Sequence, residues 1–583
     1  MKKFFAAVVA GALTLSVLTG CAPASTIVPN TKLNIGEGGL AQNLNTSVSA
    51  SGQTAVSHQN IFELTQSSFY SLDASGKLAA NELFGTAEIS NPAVDKFTVD
   101  YTVESGVTWN DGSPVTAADL LVSWVAAVNP AKSGFQSVAQ NSGLANATAI
   151  PKISNEGQTL SVVFDQPIAD WQTALKLSVP AHLLGKSAFG ESDAGAASDA
   201  VVSAIQGADS TKLAVLATKF NTAWQLSSEP LAADLYFSSG AYNVDSATNT
   251  EVVLKANPKC TWCRQPKVET VTLKLYDGTE KLLSAMAAGD VDLSKPAESE
   301  NATIATIVPA IEELKANGYK YTSVPSGRIE ALILSYSKYS VFGPKSDFGA
   351  KKAAKIRSAF LKLVPRQRIL DNVSIPVKLT RADSFVYPSS SRYYTASVQE
   401  NGSASYRFQN VEKAAEIMRP FKLLFGVRVN MVFDPHNFRE AIVYNLIAQN
   451  AKDAKIAFIN KSGDDFDKLI RKGDTDVYVT DVPLLGTDTS ALGSLLTSKT
   501  GFSSQEVQDI ISSLAADPQG KKSSQSYADL DTALFKAGYG LPLYELPALV
   551  AFNSKLEYYQ PSMNLQSLVW GYPDWNVEPE KKQ

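Results

Sequence analysis

A mixed α/β fold is the prediction for this chain, and three observations carry it. Stretches of strict apolar–polar alternation recur along the sequence, as at Lys96–Val103 and Leu160–Phe164. Apolar spacing of helical period follows such stretches. The composition, 583 residues with 44% hydrophobic and 19% charged, suits a large buried core and leaves room for two or three domains.

Taken in order, the chain opens with Lys2 and Lys3 ahead of an apolar segment over residues 4–18. That segment is shorter than the roughly 20 residues a membrane span needs, and with small residues at its end it reads as a secretion signal over residues 1–20. Its last residues, Leu18-Thr19-Gly20-Cys21, resemble the lipobox of bacterial lipoproteins. The resemblance implies cleavage before Cys21, lipid on its sulfur, and a mature protein on the outer face of the cell membrane. Residues 22–32, small and polar with Pro23 and Pro29, then read with Cys21 as a tether over 21–32.

Lys96–Val103 is expected as a strand. Thr116-Ala117-Ala118-Asp119, ahead of the apolar run Leu120–Val128, reads as a capping box opening a helix. Residues 190–210, rich in Ala, Ser, Gly and Asp, are expected to form an exposed insertion. Lys351–Leu370 places Ile356, Ala359, Phe360 and Leu363 on one helical face.

Cys260 and Cys263 are the two cysteines beyond Cys21. Their spacing admits a disulfide, a redox pair or half a zinc site. Zinc wants four ligands and no second pair exists, while a redox pair wants a βαβ context that the flanking loop lacks. A small structural disulfide is the expectation for an exported chain.

Net charge is −5, and −7 without residues 1–20, which carry Lys2 and Lys3; with no basic cluster, nucleic acid is not an expected partner. Enzyme signatures fail. Gly185-Lys186-Ser187 imitates the end of a phosphate-binding loop, but Pro180 stands where its first glycine must bend. The three histidines, His58, His182 and His436, are isolated, so no metal site is expected. The acid pairs Asp290/Asp292 and Asp474/Asp476 read as solvated loop residues. Neither catalytic residues nor a cofactor are expected.

Phe97–Trp124 carries Gly106, Trp109, Asp111-Gly112-Ser113-Pro114, the Thr116–Asp119 cap and Trp124. This resembles the signature of family 5 extracellular solute-binding proteins, the peptide- and nickel-binding subunits of ABC importers. Further stretches resemble the family in its order: Phe62–Leu78, Val179–Leu184, Ser239–Tyr242, Glu251–Pro258, Leu282–Leu293, Ile356–Phe360, Glu412–Ala415, Asp467–Val477 and Leu541–Tyr544. In Val179–Leu184, His182 is expected as a packing or turn residue. The resemblance implies a two-lobed periplasmic-binding-protein-like fold (type II, cluster C) that closes on its ligand by a hinge. Lobe one is expected at 33–325, with an extra subdomain near 80–180 and a return segment at 545–583; lobe two is expected at 326–544. Crossing strands are expected near Ser323–Ser337 and Leu541–Phe552.

The resemblance also implies a function: capture of peptides or peptide-like solutes, largely through main-chain hydrogen bonds, for delivery to an ABC permease and its ATPase by a lipid-anchored monomer. An oligosaccharide or metal-chelate carrier, and a surface sensor or adhesin without transport, are the alternatives. Family peptide binders meet the peptide amino terminus with an Asp, but Leu484 stands in that register here. Either Asp481 or Asp488 substitutes for that Asp, or the ligand presents no free amine, in which case blocking a peptide amino terminus costs little. Asn43, Asn45, Ser335, Tyr336 and Thr487 complete the expected ligand-binding residues.

Overall fold

The alternation at Phe97–Val103 resolves into a strand with Phe97, Val99, Tyr101 and Val103 buried. The computed structural model describes residues 26–50, 52–72, 78–93, 96–165, 167–168, 170–298, 304–373, 377–422, 424, 426–435, 437–449, 454–463, 475–485, 501–515, 523–561 and 567–580. The signal, Cys21, His436, Asp474, Thr487 and Asp488 lie outside them.

Strands β1 (Val28–Glu37), β2 (Tyr70–Leu72), β3 (Leu78–Ala80), β4 (Gly85–Asn91), β5 (Phe97–Val103), β6 (Lys152–Ser154) and β7 (Thr159–Phe164) come first. β2 and β3 form a hairpin-like pair, and β4-β5-β7-β6 form a separate four-stranded antiparallel sheet. Then follow β8 (Tyr242–Ala247), β9 (Glu251–Ala256), β10 (Val268–Leu275), β11 (Leu293–Ser294) and β12 (Tyr319–Leu334). Last are β13 (Val427–Val432), β14 (Ile456–Asn460), β15 (Val477–Pro483) and β16 (Gly540–Asn553).

Ten of these make one mixed sheet, in the order β14-β13-β15-β12-β16-β11-β1-β10-β9-β8. Two long strands, β12 and β16, run antiparallel through its middle. Their outer halves serve different cores. Tyr319 of β12 and Leu549 and Ala551 of β16 belong with Leu282, Met286 and Ile307, while Ile329–Leu334 and Leu541–Tyr544 belong to a large cluster built from residues 329–544. The largest cluster runs from Leu33 to Leu293 and is completed by Val550, Val569 and Trp575. The chain is therefore two-lobed, with β12 and β16 crossing between the lobes. Burial along β12 changes at the same place: its first half is partly exposed, whereas Ile329–Leu334 is buried on both faces, as in a strand covered on both sides.

The helix Ala117–Val128 opens on the expected capping box, with Ala118 N–H donating to the Thr116 hydroxyl (3.3 Å) and Thr116 N–H to the Asp119 carboxylate (2.8 Å). Asp119 does a second job. Its other oxygen accepts from the N–H of Ala181 (2.7 Å), the first residue of the helix Ala181–Phe189. Beside it, His182 Nε2 meets Asp111 Oδ2 at 2.8 Å. The Asp-Gly-Ser-Pro turn and the Pro-x-His segment are thus one clamp.

Three expectations need correction. Residues 28–32, read as tether, are the start of β1, which pairs with β10 from Val28↔Val268 onward. The exposed insertion at 190–210 is instead a packed helix, Ala194–Gln206, capped by Asp193 and burying Ala197, Val201, Ala204 and Ile205. Its small residues allow close contact: a Cβ on Gly185 would stand 2.2 Å from the Ala197 carbonyl oxygen. Among the acids read as solvated, Asp476 is 2% exposed and accepts from the N–H of Val341 (2.9 Å) and of Asn430 (2.7 Å). Asp292 accepts from the N–H of Asn34 (2.9 Å). Both are framework residues.

Candidate ligand-binding site at the lobe junction

The crossing strands change register where they pass between cores. Pro325 pairs with Pro547, the ladder breaks between Pro325 and Ile329, and Gly327 takes up a φ of 74° inside the break. Just beyond it, β12 carries a single acid, Glu330, within the run Ile329–Leu334. Glu330 is 1% exposed; one carboxylate oxygen lies 3.4 Å from the Tyr544 hydroxyl and the other has no partner. Burial, reinforced by Glu440, pushes its pKa well above the usual carboxylate range.

Helix Phe438–Ala448 brings Arg439 and Glu440 against this strand. Asn437 caps the helix, accepting from Arg439 N–H (3.1 Å). Glu440 turns back on the cap, accepting from Asn437 Nδ2 (2.9 Å) and from Asp434 N–H (2.7 Å). Burial, with Asp434 and Asp481 adding repulsion, pushes Glu440 up to about 8. Arg439 Nη1 reaches out of its own lobe to the carboxylate of Glu298, on the segment after β11. On β15, Asp481 lies opposite Glu330 in register and takes Nε of Arg328 at 2.6 Å. The junction therefore brings Glu298 of lobe one to the acids and two guanidinium groups of lobe two, with one buried carboxylate oxygen unmatched. Buried polar groups in this state are what a bound solute satisfies or must avoid.

The expected site residues divide. Asp481 is at this junction, with its side chain half exposed. Ser335 and Tyr336 are not: they follow the far end of β12, and both are held there. Ser335 N–H donates to the Asp476 carbonyl (2.9 Å), and Tyr336 donates to the Ala537 carbonyl (2.6 Å) while packing edge-on to Phe502. Tyr336 is a core aromatic of lobe two. Asn43 and Asn45 are likewise committed, their amides donating to the carbonyls of Asn221 (2.8 Å) and Phe220 (2.9 Å). Those bonds fix the wall of a lobe-one cavity of about 370 Å³, lined by Asn43, Val48, His58, Gln136, Asn221 and Gln225 among others. Burial holds the His58 imidazole at about 4, against the Val48 carbonyl, so the ring is neutral near pH 7.

Cys260 and Cys263 are joined in a disulfide. Among the described residues no cluster of three or more His, Cys, Asp or Glu side chains is placed to hold a metal, and no helix is long and apolar enough to cross a membrane.

Comparison with known proteins decides the family. The sequence pattern of the bacterial extracellular solute-binding proteins, family 5 middle region, matches residues 85–504. This chain belongs to family 5. Family 5 proteins are the extracytoplasmic solute-binding components of ABC importers. An uncharacterised lipoprotein of Mycobacterium tuberculosis is 23% identical over 566 residues, covering 92% of this chain and 90% of its own. Among solved structures, a periplasmic EDTA-binding protein superposes with a TM-score of 0.73 at 17% identity, over 95% of this chain and 98% of its own. The oligopeptide-binding protein AppA of Bacillus subtilis, in complex with a nonapeptide, gives 0.61 at 14% identity, over 94% and 100%. At these identities the structures establish the shared fold.

Sequence reasoning about this family 5 protein missed Glu330, Arg439, Glu440 and Glu298. One signal was present: an acid inside the otherwise apolar Ile329–Leu334 cannot be buried without cause.

Proposed function

We propose that this family 5 protein is the lipid-anchored binding subunit of an ABC importer and captures peptides or peptide-like solutes between its lobes. The observation that carries the reading is the junction itself: two large cores joined by two crossing strands, with charged side chains from both lobes meeting beside the crossing. The nonapeptide-bound relative of the same fold supports a peptide ligand. A metal chelate is the second reading, prompted by the EDTA-binding relative. The ion pairs Arg328–Asp481 and Arg439–Glu298 engage both arginines of the junction, which counts against an anionic chelate there. The working division places lobe two at 326–544, and Asp481 is the described candidate for a peptide amino terminus. Leu18–Cys21 and the lipoprotein name of the mycobacterial relative support the anchor, and a permease with its ATPase is the implied membrane partner.

A defined peptide pool should raise the melting temperature with saturation, by linkage, and be recovered uncleaved. Asp481→Ala should weaken free-amine peptides and spare N-acetylated ones. If no peptide of any length shifts stability while a metal chelate or oligosaccharide does, the peptide reading fails and the family assignment stands. Cys21→Ser should release the protein from the membrane fraction; full retention after signal cleavage overturns the anchor.

A further inference from the structure

We propose that Glu298 and Arg439 form a latch between the lobes, and that the buried acids behind Arg439 couple its closing to proton uptake. The proposal rests on the two-lobed binding reading and adds a mechanism to it. Among the described residues, Glu298–Arg439 is the one ion pair that crosses the junction; the others stay within a lobe. Arg439 is 6% exposed and its Nε has no partner. Three acids of its own lobe surround the site, yet none forms an ion pair with it. Asp481 is taken by Arg328. Glu440 is spent on the Asp434 N–H and Asn437. Glu330 offers one oxygen to Tyr544 and leaves the other unmatched.

Burial explains that choice. A carboxyl kept protonated by desolvation is a poor partner for a guanidinium, so Arg439 turns to the more exposed Glu298 across the junction. The groups facing Glu330 and Glu440 are Arg439 on the same helix, Asp434 before it, Asp481 with Arg328 on the neighbouring strands, and Tyr544 on β16. When the lobes part, Arg439 loses Glu298 and water reaches the acids. They then ionise more readily and replace Glu298 as its counter-charge.

Closing therefore takes up protons. For groups whose pKa is raised in the closed form, the added stability is full below the open-form value and is lost as pH climbs through the closed-form value. With Glu440 at about 8 when closed, the closed population falls as pH rises from the lower open-form value toward about 8 and levels off above it.

Small-angle scattering of the full ligand-free chain at fixed ionic strength tests this. Wild type should be compact at pH 6.5 and expand by pH 9. Glu440→Gln should flatten that expansion, and Glu298→Gln should be expanded already at pH 6.5. The exchange Glu298→Arg with Arg439→Glu should restore compactness if either single change disturbs folding. A Glu298→Gln protein with wild-type dimensions overturns the latch, and an unchanged pH response in Glu440→Gln overturns the proton coupling. If a peptide pool compacts every variant while pH moves none, the latch fails and the binding reading survives; if neither peptide nor pH alters dimensions, lobe closure itself is refuted.

Discussion

Pro325 and Pro547 stand opposite each other in the antiparallel register of β12 and β16, at the level where both strands pass between cores. Neither has an N–H, so this pair cannot add a ladder hydrogen bond. The break that follows, with Gly327 at φ 74°, interrupts the ladder between the two connections.

Gly327→Ala should therefore destabilise the protein by about 1–2 kcal/mol, the cost of a side chain in the left-handed region. Urea unfolding followed by circular dichroism measures it. A neutral result would mean that the bend relaxes to an ordinary strand conformation.

Asp383 holds a fully buried guanidinium in lobe two: Arg366 Nη2 lies 2.8 Å from its carboxylate, and Arg381 takes the other oxygen at 2.9 Å. Asp383→Ala leaves Arg366 charged and buried. Breaking such a pair costs about 3–5 kcal/mol, so the variant should unfold at markedly lower denaturant. An unchanged midpoint would show that water replaces the carboxylate there.

The hydrogen bond from His182 holds the Asp111 carboxyl down at about 2, below its ordinary 3.8. A depressed acid stabilises the fold above its unfolded-state value and loses that contribution as pH falls through the folded one. Between pH 5 and pH 2.5, wild type should lose more unfolding free energy than Asp111→Asn. Parallel pH profiles for the two proteins would remove Asp111 from the acid response. The effect is small, because Asp111 is partly solvated.

Replacing Cys260 and Cys263 together by Ala should lower stability by about 2 kcal/mol, the chain-entropy value for so short a loop. Thiol alkylation of the unreduced exported protein should label neither cysteine. Labelling of both would show that the bond does not form on export.

What the sequence revealed was local. The Phe97–Val103 strand and the Thr116–Asp119 cap announce themselves within a few residues, by alternation and by one hydroxyl–acid spacing. The helix Ala194–Gln206 was hidden by composition: its small residues look like a solvated insertion until Gly185 supplies a surface for close approach. The junction was harder still. Glu330 acquires meaning from Tyr544, 214 residues away, and from Arg439 and Glu440 on a distant helix. Tyr336, expected among the ligand-binding residues, is claimed instead by Ala537, 201 residues on. Partners that far apart in the chain leave no periodic trace.

The two cores also differ in when their material becomes available. Every residue of the lobe-two cluster lies in an unbroken run from Ile329 to Tyr544, whereas the lobe-one cluster begins at Leu33 and is finished by Val569, Trp575 and Val577. A chain emerging from its amino terminus therefore delivers lobe two whole while lobe one still lacks Trp575, one of its largest fully buried side chains. The first lobe to begin is the last to be completed: its opening strand β1 meets β10 and β11 by mid-chain, but its core stays unsealed until the closing residues arrive.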